Sequence, residues 1–290
     1  MRTGRLLAAG RTADVYELHA DEGESGPHGP DSLAAAAGTV APGGPADRDG
    51  ADRHTGRGAD RSGGRGADGN TGHGADGCTG RDGAWVLRRY RDGRGDAVVE
   101  AEVMEYVRSH GYPVPRVRSA TRTEMVLERL TGPTMLEAFA AGLIDPAAAG
   151  ATLARLLHAL HAVPPRTHPA FRVLHLDLHP ENVVLAPHGP QVIDWNNAEE
   201  GPPGLDWGVS AMILAQVAVD EDDPRAHLAH DTLVSLLAQR PDGHAALTEG
   251  GLAEARRRRA ANPTMSAREV ELVGPAEQLI RRIAGPGPTA

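Results

Sequence analysis

The stretch that most constrains this chain runs from His175 to Trp195, reading His-Leu-Asp-Leu-His-Pro-Glu-Asn, an apolar run, a turn, and a second apolar run ending in Asp194-Trp195. Val183-Val184-Leu185 reads as a short buried strand, and Ala186-Pro187-His188-Gly189-Pro190 as a hairpin turn into Gln191-Val192-Ile193. Such a hairpin sets Asn182 and Asp194 at adjacent strand ends. An amide oxygen and a carboxylate there are hard ligands able to share one Mg²⁺. Asp177 supplies a carboxylate that can orient a hydroxyl and accept its proton. The plain alternative, an ordinary hairpin with scattered acids, leaves the spacing His-x-Asp-x-x-x-x-Asn and the later aspartate a coincidence.

Composition narrows the rest. Of 290 residues, 36 are Gly and 22 Pro, and aromatic content is only 3%. Much of that bias is local to residues 20–83, where Gly-Ala-Asp recurs at Gly50, Gly58, Gly66 and Gly74. These units contain no Leu, Ile, Val or Phe. They therefore have nothing to stack into a solenoid or a calcium-binding β-roll, and disorder is expected. A net charge of -9 and a pI near 5.8 leave no polybasic footprint for nucleic acid. Arg256 to Arg259, within a helical pattern starting near Leu252, read as a solvated last turn. Cys78 is the only cysteine, so no intrachain disulfide is possible and a reducing compartment fits. No signal-like run follows Met1, and Val209 to Val219 falls short of the roughly 20 residues a bilayer span needs. A cytoplasmic protein without membrane or nucleic-acid partners is expected, its oligomeric state open.

Taken in order, Leu6 to Leu18 reads as strand, turn and strand around Gly10, Arg11 and Thr12. A turn of small residues lets backbone N–H groups approach phosphates, although most such turns are only turns. Ala84 to Tyr90 resumes strand character, so the repeat tract is inserted into a hairpin. Asp96 to Ser109 has helical spacing, with Val99, Val103, Tyr106 and Val107 on one side. Two strands follow, around Arg116 to Arg118 and Met125 to Leu127. Beyond Glu128 to Pro133 the pattern is helical: Thr134 to Ala141, Pro146 to His161, Leu205 to Val219, then a helix near Arg225 to Arg240 capped by Asp220 to Asp223, and a last helix from Ala267 to Ile283. His158 and His161 share a helix face without the further ligands of a metal cluster.

The loop at His175 to Asn182 resembles that of the aminoglycoside phosphotransferase family, small-molecule kinases with a protein-kinase-like fold. The resemblance implies a two-lobed α+β architecture. Residues 1–129, interrupted at about 20–83, would form a nucleotide-binding lobe with a small antiparallel sheet, and residues 130–290 a mostly helical catalytic and substrate-binding lobe. It implies ATP- and Mg²⁺-dependent phosphorylation of a small-molecule hydroxyl, with Asp177 as base and Asn182 and Asp194 as metal ligands. Gly10, Arg11 and Thr12 would cover the nucleotide, and Glu128 and Leu130 would meet adenine through their backbone. Arg88 stands where the family has Lys, facing Glu100, with Glu102 and Glu105 as competitors. Asp206 resembles the buried aspartate that braces the catalytic loop. Leu176 departs from a common Gly and reads as tolerated variation. The acceptor is not legible. A polycation would suit Glu199, Glu200 or Asp220 to Asp223, and acidic helix caps look the same. A nucleotide-binding pseudokinase, suggested by Arg88, and an interaction protein built on the repeats are the rival classes.

Overall fold

Trp85-Val86-Leu87-Arg88-Arg89-Tyr90, which packs bulky residues on both faces, is the central strand of the first half of the molecule. The computed structural model describes residues 1–19, 84–91, 95–243 and 247–285. In it β1 (Arg2–Ala9), β2 (Ala13–His19), β3 (Trp85–Tyr90), β4 (Val117–Ala120) and β5 (Glu124–Glu128) form one antiparallel sheet in the order β1-β2-β3-β5-β4. β2 and β3 pair from Ala13 with Tyr90 to Leu18 with Trp85. The repeat tract joins these two strands in sequence; the disorder expected of it falls outside the described residues. One compact unit comprises Met1–Asp21 and Asp82–Ala290.

Helix α1 (Ala97–Ser109) is capped by Asp96, whose side chain accepts from the Val98 and Val99 N–H groups. Its buried face is Glu100, Val103, Met104 and Val107, the i, i+3, i+4, i+7 set, laid against β4 and β5. Val99, expected on the inner side, is 55% exposed. It lies about a quarter turn off that stripe, and the inner position is taken by the charged Glu100.

The connection out of β5 passes tightly over the later hairpin. Gly132 has φ +128°, and a Cβ there would lie 2.2 Å from the Leu185 carbonyl oxygen, so only glycine fits. The chain then forms α2 (Met135–Ala140), opened by a capping box between Thr134 and Glu137, and α3 (Pro146–Ala162), capped by Asp145. Short strand β6 (Arg172–Leu174) leads through a 3₁₀ turn (Pro180–Asn182) into the hairpin of β7 (Val183–Ala186) and β8 (Gly189–Val192), and β9 (Glu199–Gly201) pairs with β6. Helices α4 (Pro203–Ala218), α5 (Ala226–Ala238), α6 (Glu249–Ala261), α7 (Ala267–Glu271) and α8 (Val273–Ala284) complete the second half. α4 is apolar nearly all round because α5, α6 and α8 all pack on it.

Two expectations are corrected here. The last helix is two, α7 and α8 meeting at Leu272, because Pro275 has no N–H for the Glu271 carbonyl and its ring would crowd it. The acids before α5 do not cap it: the N-cap is Arg225, without a side-chain cap bond, while Asp223 accepts from the Arg225 N–H and pairs with its guanidinium. One apolar cluster joins both halves, from Met104 and Met125 to Leu153, Trp207 and Leu233. Trp195, edge-on to Tyr112 at 5.6 Å, sits within it. This is the expected fold class, a small antiparallel sheet with one helix followed by a mostly helical half. No helix among the described residues is long and apolar enough to cross a membrane.

Candidate active site

The hairpin does what its sequence spacing requires. Val183 pairs with Val192, and the Ile193 N–H donates to the Asn182 carbonyl at 3.0 Å, so Asn182 and Asp194 stand side by side at the hairpin's open end. Asn182 is buried, and its amide nitrogen donates to the Asp177 carbonyl oxygen (2.9 Å) and to the Asp177 carboxylate (3.3 Å). That leaves Oδ1 as the acceptor end of the amide. Asn182 Nδ2 also lies 3.2 Å from His179 Nε2, and burial, the main cause, pushes the His179 pKa down to about 3. His179 is thus neutral here, and its Nδ1 accepts from the Glu181 N–H at 3.4 Å, which leaves the proton on Nε2. Burial and the neighbouring Asp194 raise the Asp177 pKa to about 7, against the opposing pull of Arg259, Asn182 and Arg11.

The loop bearing Asp177 is held from beneath. Asp206, fully buried on α4, accepts from the His175 N–H (3.0 Å) and the Leu176 N–H (2.8 Å), while His161 Nε2 lies 3.1 Å from its carboxylate. Burial would raise its pKa, but the bond from His161 and the others hold it below the ordinary aspartate value. The buried His175 ring packs on Trp195 at 4.7 Å and directs Nε2 to the Ile193 carbonyl at 3.0 Å. A carbonyl only accepts, so Nε2 carries the proton.

Two non-glycine residues in this region have left-handed backbone, Leu176 at φ 59° and Asp194 at φ 65°. Aspartate tolerates that region; leucine rarely does. Leu176 is therefore more than a neutral variation, since a glycine there would carry no backbone strain. Its side chain, 9% exposed, packs with Leu174, Leu205 and Val209, which offsets the strain.

Arg88 lies between α1 and the hairpin. Its guanidinium pairs through Nη1 with Glu100 Oε1 and through Nη2 with Asp194 Oδ1 at 2.5 Å. Glu100 also accepts from the Tyr90 hydroxyl and, at 3.0 Å, from the Trp195 N–H. Burial alone would lower the Arg88 pKa, but Glu100, Asp194 and Tyr90 together raise it. Glu105 instead pairs with Arg108 and accepts from the Val117 N–H.

A cavity of about 610 Å³ opens over these residues, lined by Gly10, Arg11, Thr12, Asp177, Asn182 and Asp194 among others. Its size is that of a ligand site. In the turn, Gly10 N–H donates to Ala13 O at 2.9 Å, and a Cβ on Gly10 would stand 3.0 Å from that oxygen. Asn196 Nδ2 donates to Thr12 Oγ1 at 3.3 Å.

The sequence matches the phosphotransferase enzyme family over residues 78–172 and 165–247, more than half of the chain. The chain belongs to the phosphotransferase enzyme family. Comparison with curated proteins finds no match. Among solved structures, an aminoglycoside-3'-phosphotransferase of type VIII is 18% identical, with TM-score 0.44 over 66% of this chain and 85% of that one. An ethanolamine kinase of Plasmodium vivax is 10% identical, with TM-score 0.42 over 69% of each chain. An amicoumacin kinase in complex with AMP-PNP and Ca²⁺ is 12% identical, with TM-score 0.40 over 69% and 82%.

In this phosphotransferase the structure brings Gly10, Arg11, Thr12, Asp177, Asn182 and Asp194 onto one cavity and ties Arg88 and Glu100 to it through Asp194. Glu128 and Leu130 do not line that cavity; the Glu128 carboxylate is engaged by the Arg116 side chain. Arg259, expected in a solvated turn, lines the cavity with its Nε on Gln216 Oε1 at 2.9 Å. The signal was present in the spacing. Arg259 follows the buried Leu252 and Ala255 at i+7 and i+4, on the inward stripe of α6.

Proposed function

We propose that this protein is a cytoplasmic ATP- and Mg²⁺-dependent phosphotransferase that phosphorylates a hydroxyl of a small molecule. Residues 1–129 outside the repeat tract would form its nucleotide lobe, and residues 130–290 its catalytic and acceptor lobe. The observation that carries this reading is the convergence of Asp177, Asn182 and Asp194 on one cavity with the glycine turn. The donor set fits the metal: Asn182 Oδ1 and the Asp194 carboxylate are hard oxygens, and Mg²⁺ takes few protein ligands, completing its shell with water and phosphate. Gly10 carries no side chain to obstruct a phosphate over the turn, its own N–H being held by the Ala13 carbonyl. Held by Asn182 and Asp194, Mg²⁺ would supply charge neutralisation for the transferring phosphoryl group.

Each residue then has a defined part. Asp177, with its pKa raised to about 7, orients the acceptor hydroxyl and takes its proton. Asn182 holds Asp177 by its two bonds, and Asp206 fixes the loop backbone. Arg88, anchored on Glu100, has donors beyond those bonds to offer a phosphate. Backbone groups of Glu128 and Leu130 would receive the adenine.

The test is ADP release from MgATP with aminoglycosides, amino alcohols, sugars and hydroxy acids as acceptors. Asp177→Ala should lower kcat by about 10²- to 10⁴-fold while retaining MgATP binding, and Asp194→Ala should lose metal-dependent nucleotide binding. An Asp177→Ala enzyme as active as wild type refutes the assignment. A second reading, nucleotide binding without turnover, draws on Arg88 occupying Asp194. It predicts MgATP binding with no acceptor consumed.

A further inference from the structure

Most of the acids that would attract a cationic acceptor are already engaged, Glu181 at the cavity being the exception with only Arg225 at 3.8 Å. Within the cavity, Asp223 pairs with Arg225 at 2.6 Å, Asp220 with Arg268 at 2.9 Å and Glu269 with Arg11 at 3.2 Å. Glu199 and Glu200, the other acids a polycation would have met, pair with Arg258 at 2.7 Å and Arg166 at 2.8 Å. An ammonium group entering this site would have to displace an arginine from each.

Arg259 is the opposite case. Its one hydrogen bond among the described residues, at 2.9 Å, goes to Gln216. Gln216 is itself 4% exposed and donates to the Glu269 carbonyl at 2.7 Å, so the guanidinium is aimed by a buried amide. Among the described residues no carboxylate lies within ion-pair distance of it. Burial holds its pKa below the ordinary arginine value, against the opposing pull of the Asp177 and Glu269 carboxylates, with Arg11 adding slightly to the lowering. A half-buried guanidinium facing the cavity with its terminal nitrogens uncommitted has donors that an anion in the cavity would pair. Its planar fork suits the two oxygens of a carboxylate or a phosphate. It lines the same cavity as Asp177, near where the acceptor hydroxyl must lie.

We propose that Arg259 is the acceptor-recognition residue and that the acceptor is a hydroxyl compound bearing a carboxylate or a phosphate monoester. The inference rests on the phosphotransferase reading above and names the substrate class of that site.

The experiment compares wild type, Arg259→Gln and Arg259→Lys in ADP release at saturating MgATP. The acceptors are short hydroxy acids and sugar acids, sugar monophosphates, the matching neutral sugars and polyols, and amino alcohols with aminoglycosides. In parallel, calorimetry measures binding of Mg-AMP-PNP, then of malonate and inorganic phosphate to that complex. Anionic acceptors should exceed their neutral counterparts in kcat/KM. Arg259→Gln should raise KM for them by about ten- to hundred-fold, leave KM for ATP nearly unchanged and abolish malonate or phosphate binding, with Arg259→Lys partly restoring both. The carboxylate and phosphate arms separate the two anion types. A preference for amines, an Arg259→Gln effect confined to KM for ATP, or no anion binding to the nucleotide complex overturns the proposal while leaving the phosphotransferase reading standing. Failure of wild type to bind Mg-AMP-PNP removes both.

Discussion

Glu100→Ala tests whether the network around Arg88 holds the two halves of the site together. Glu100 is 4% exposed and Arg88 8%. The substitution removes the acceptor of the Arg88 guanidinium, the Tyr90 hydroxyl and the Trp195 N–H at once. Breaking a buried ion pair by removing one partner costs about 3–5 kcal/mol, because the remaining charge stays desolvated. For a domain of this size that corresponds to a fall in Tm on the order of 10 °C. Arg88 still has Asp194, whose side chain is 34% exposed, so the cost belongs at the lower end of that range. Arg88→Met combined with Glu100→Leu should be closer to wild type than Glu100→Ala, since the pair is then replaced by apolar volume and Asp194 regains solvent. Thermal and urea unfolding measure the cycle, and kcat/KM for ATP reads its functional arm. In the alanine cycle, Arg88→Ala with Glu100→Ala should cost less than the sum of the singles. Strict additivity, or a Glu100→Ala cost below about 1 kcal/mol, the size of an exposed pair, would refute the argument and make Arg88 energetically a surface residue.

Leu176→Gly should be more stable than Leu176→Ala by about 1 kcal/mol, reversing the usual order, since alanine keeps the φ of 59° and its strain while losing the leucine's burial; urea midpoints decide it, and alanine above glycine would sink the strain reading. Asp206→Asn should destabilise the fold at neutral pH by an amount that shrinks in acid. The folded-state pKa of Asp206 lies below 3.8, so its contribution is fully present above about pH 4 and fades as pH falls through the lowered value; a pH-independent loss contradicts this. Replacing residues 20–83 by a short turn should leave the β2–β3 pairing intact and add about 2 kcal/mol, at about 0.6 kcal/mol per halving of loop length. An excision variant that unfolds at lower temperature would show that the tract contributes contacts its composition does not suggest.

What the sequence determined by itself is what local spacing controls. The hairpin of Val183 to Val192 and the adjacency of Asn182 and Asp194 at its open end follow from short intervals of chain, where strand alternation sets direction, whereas the helical spacing of α1 puts Val99 inward and it is the family resemblance that singles out Glu100 over Glu105. The inward placement of Arg259 was also local, but a run of four arginines conceals which one continues the stripe of Leu252 and Ala255. The strain at Leu176 was foreshadowed only as a departure from glycine; its sign emerges from the two N–H bonds to Asp206, 30 and 31 residues further on. The pairing of charges was the tertiary structure's decision. Arg88 meets Asp194 across 106 residues and Arg11 meets Glu269 across 258, and similar long-range packing engages most of the acids that resembled a cation site while leaving Arg259, among the described residues, without a carboxylate at ion-pair distance. An ion pair depends on distance in space, which spacing along the chain controls only within an element.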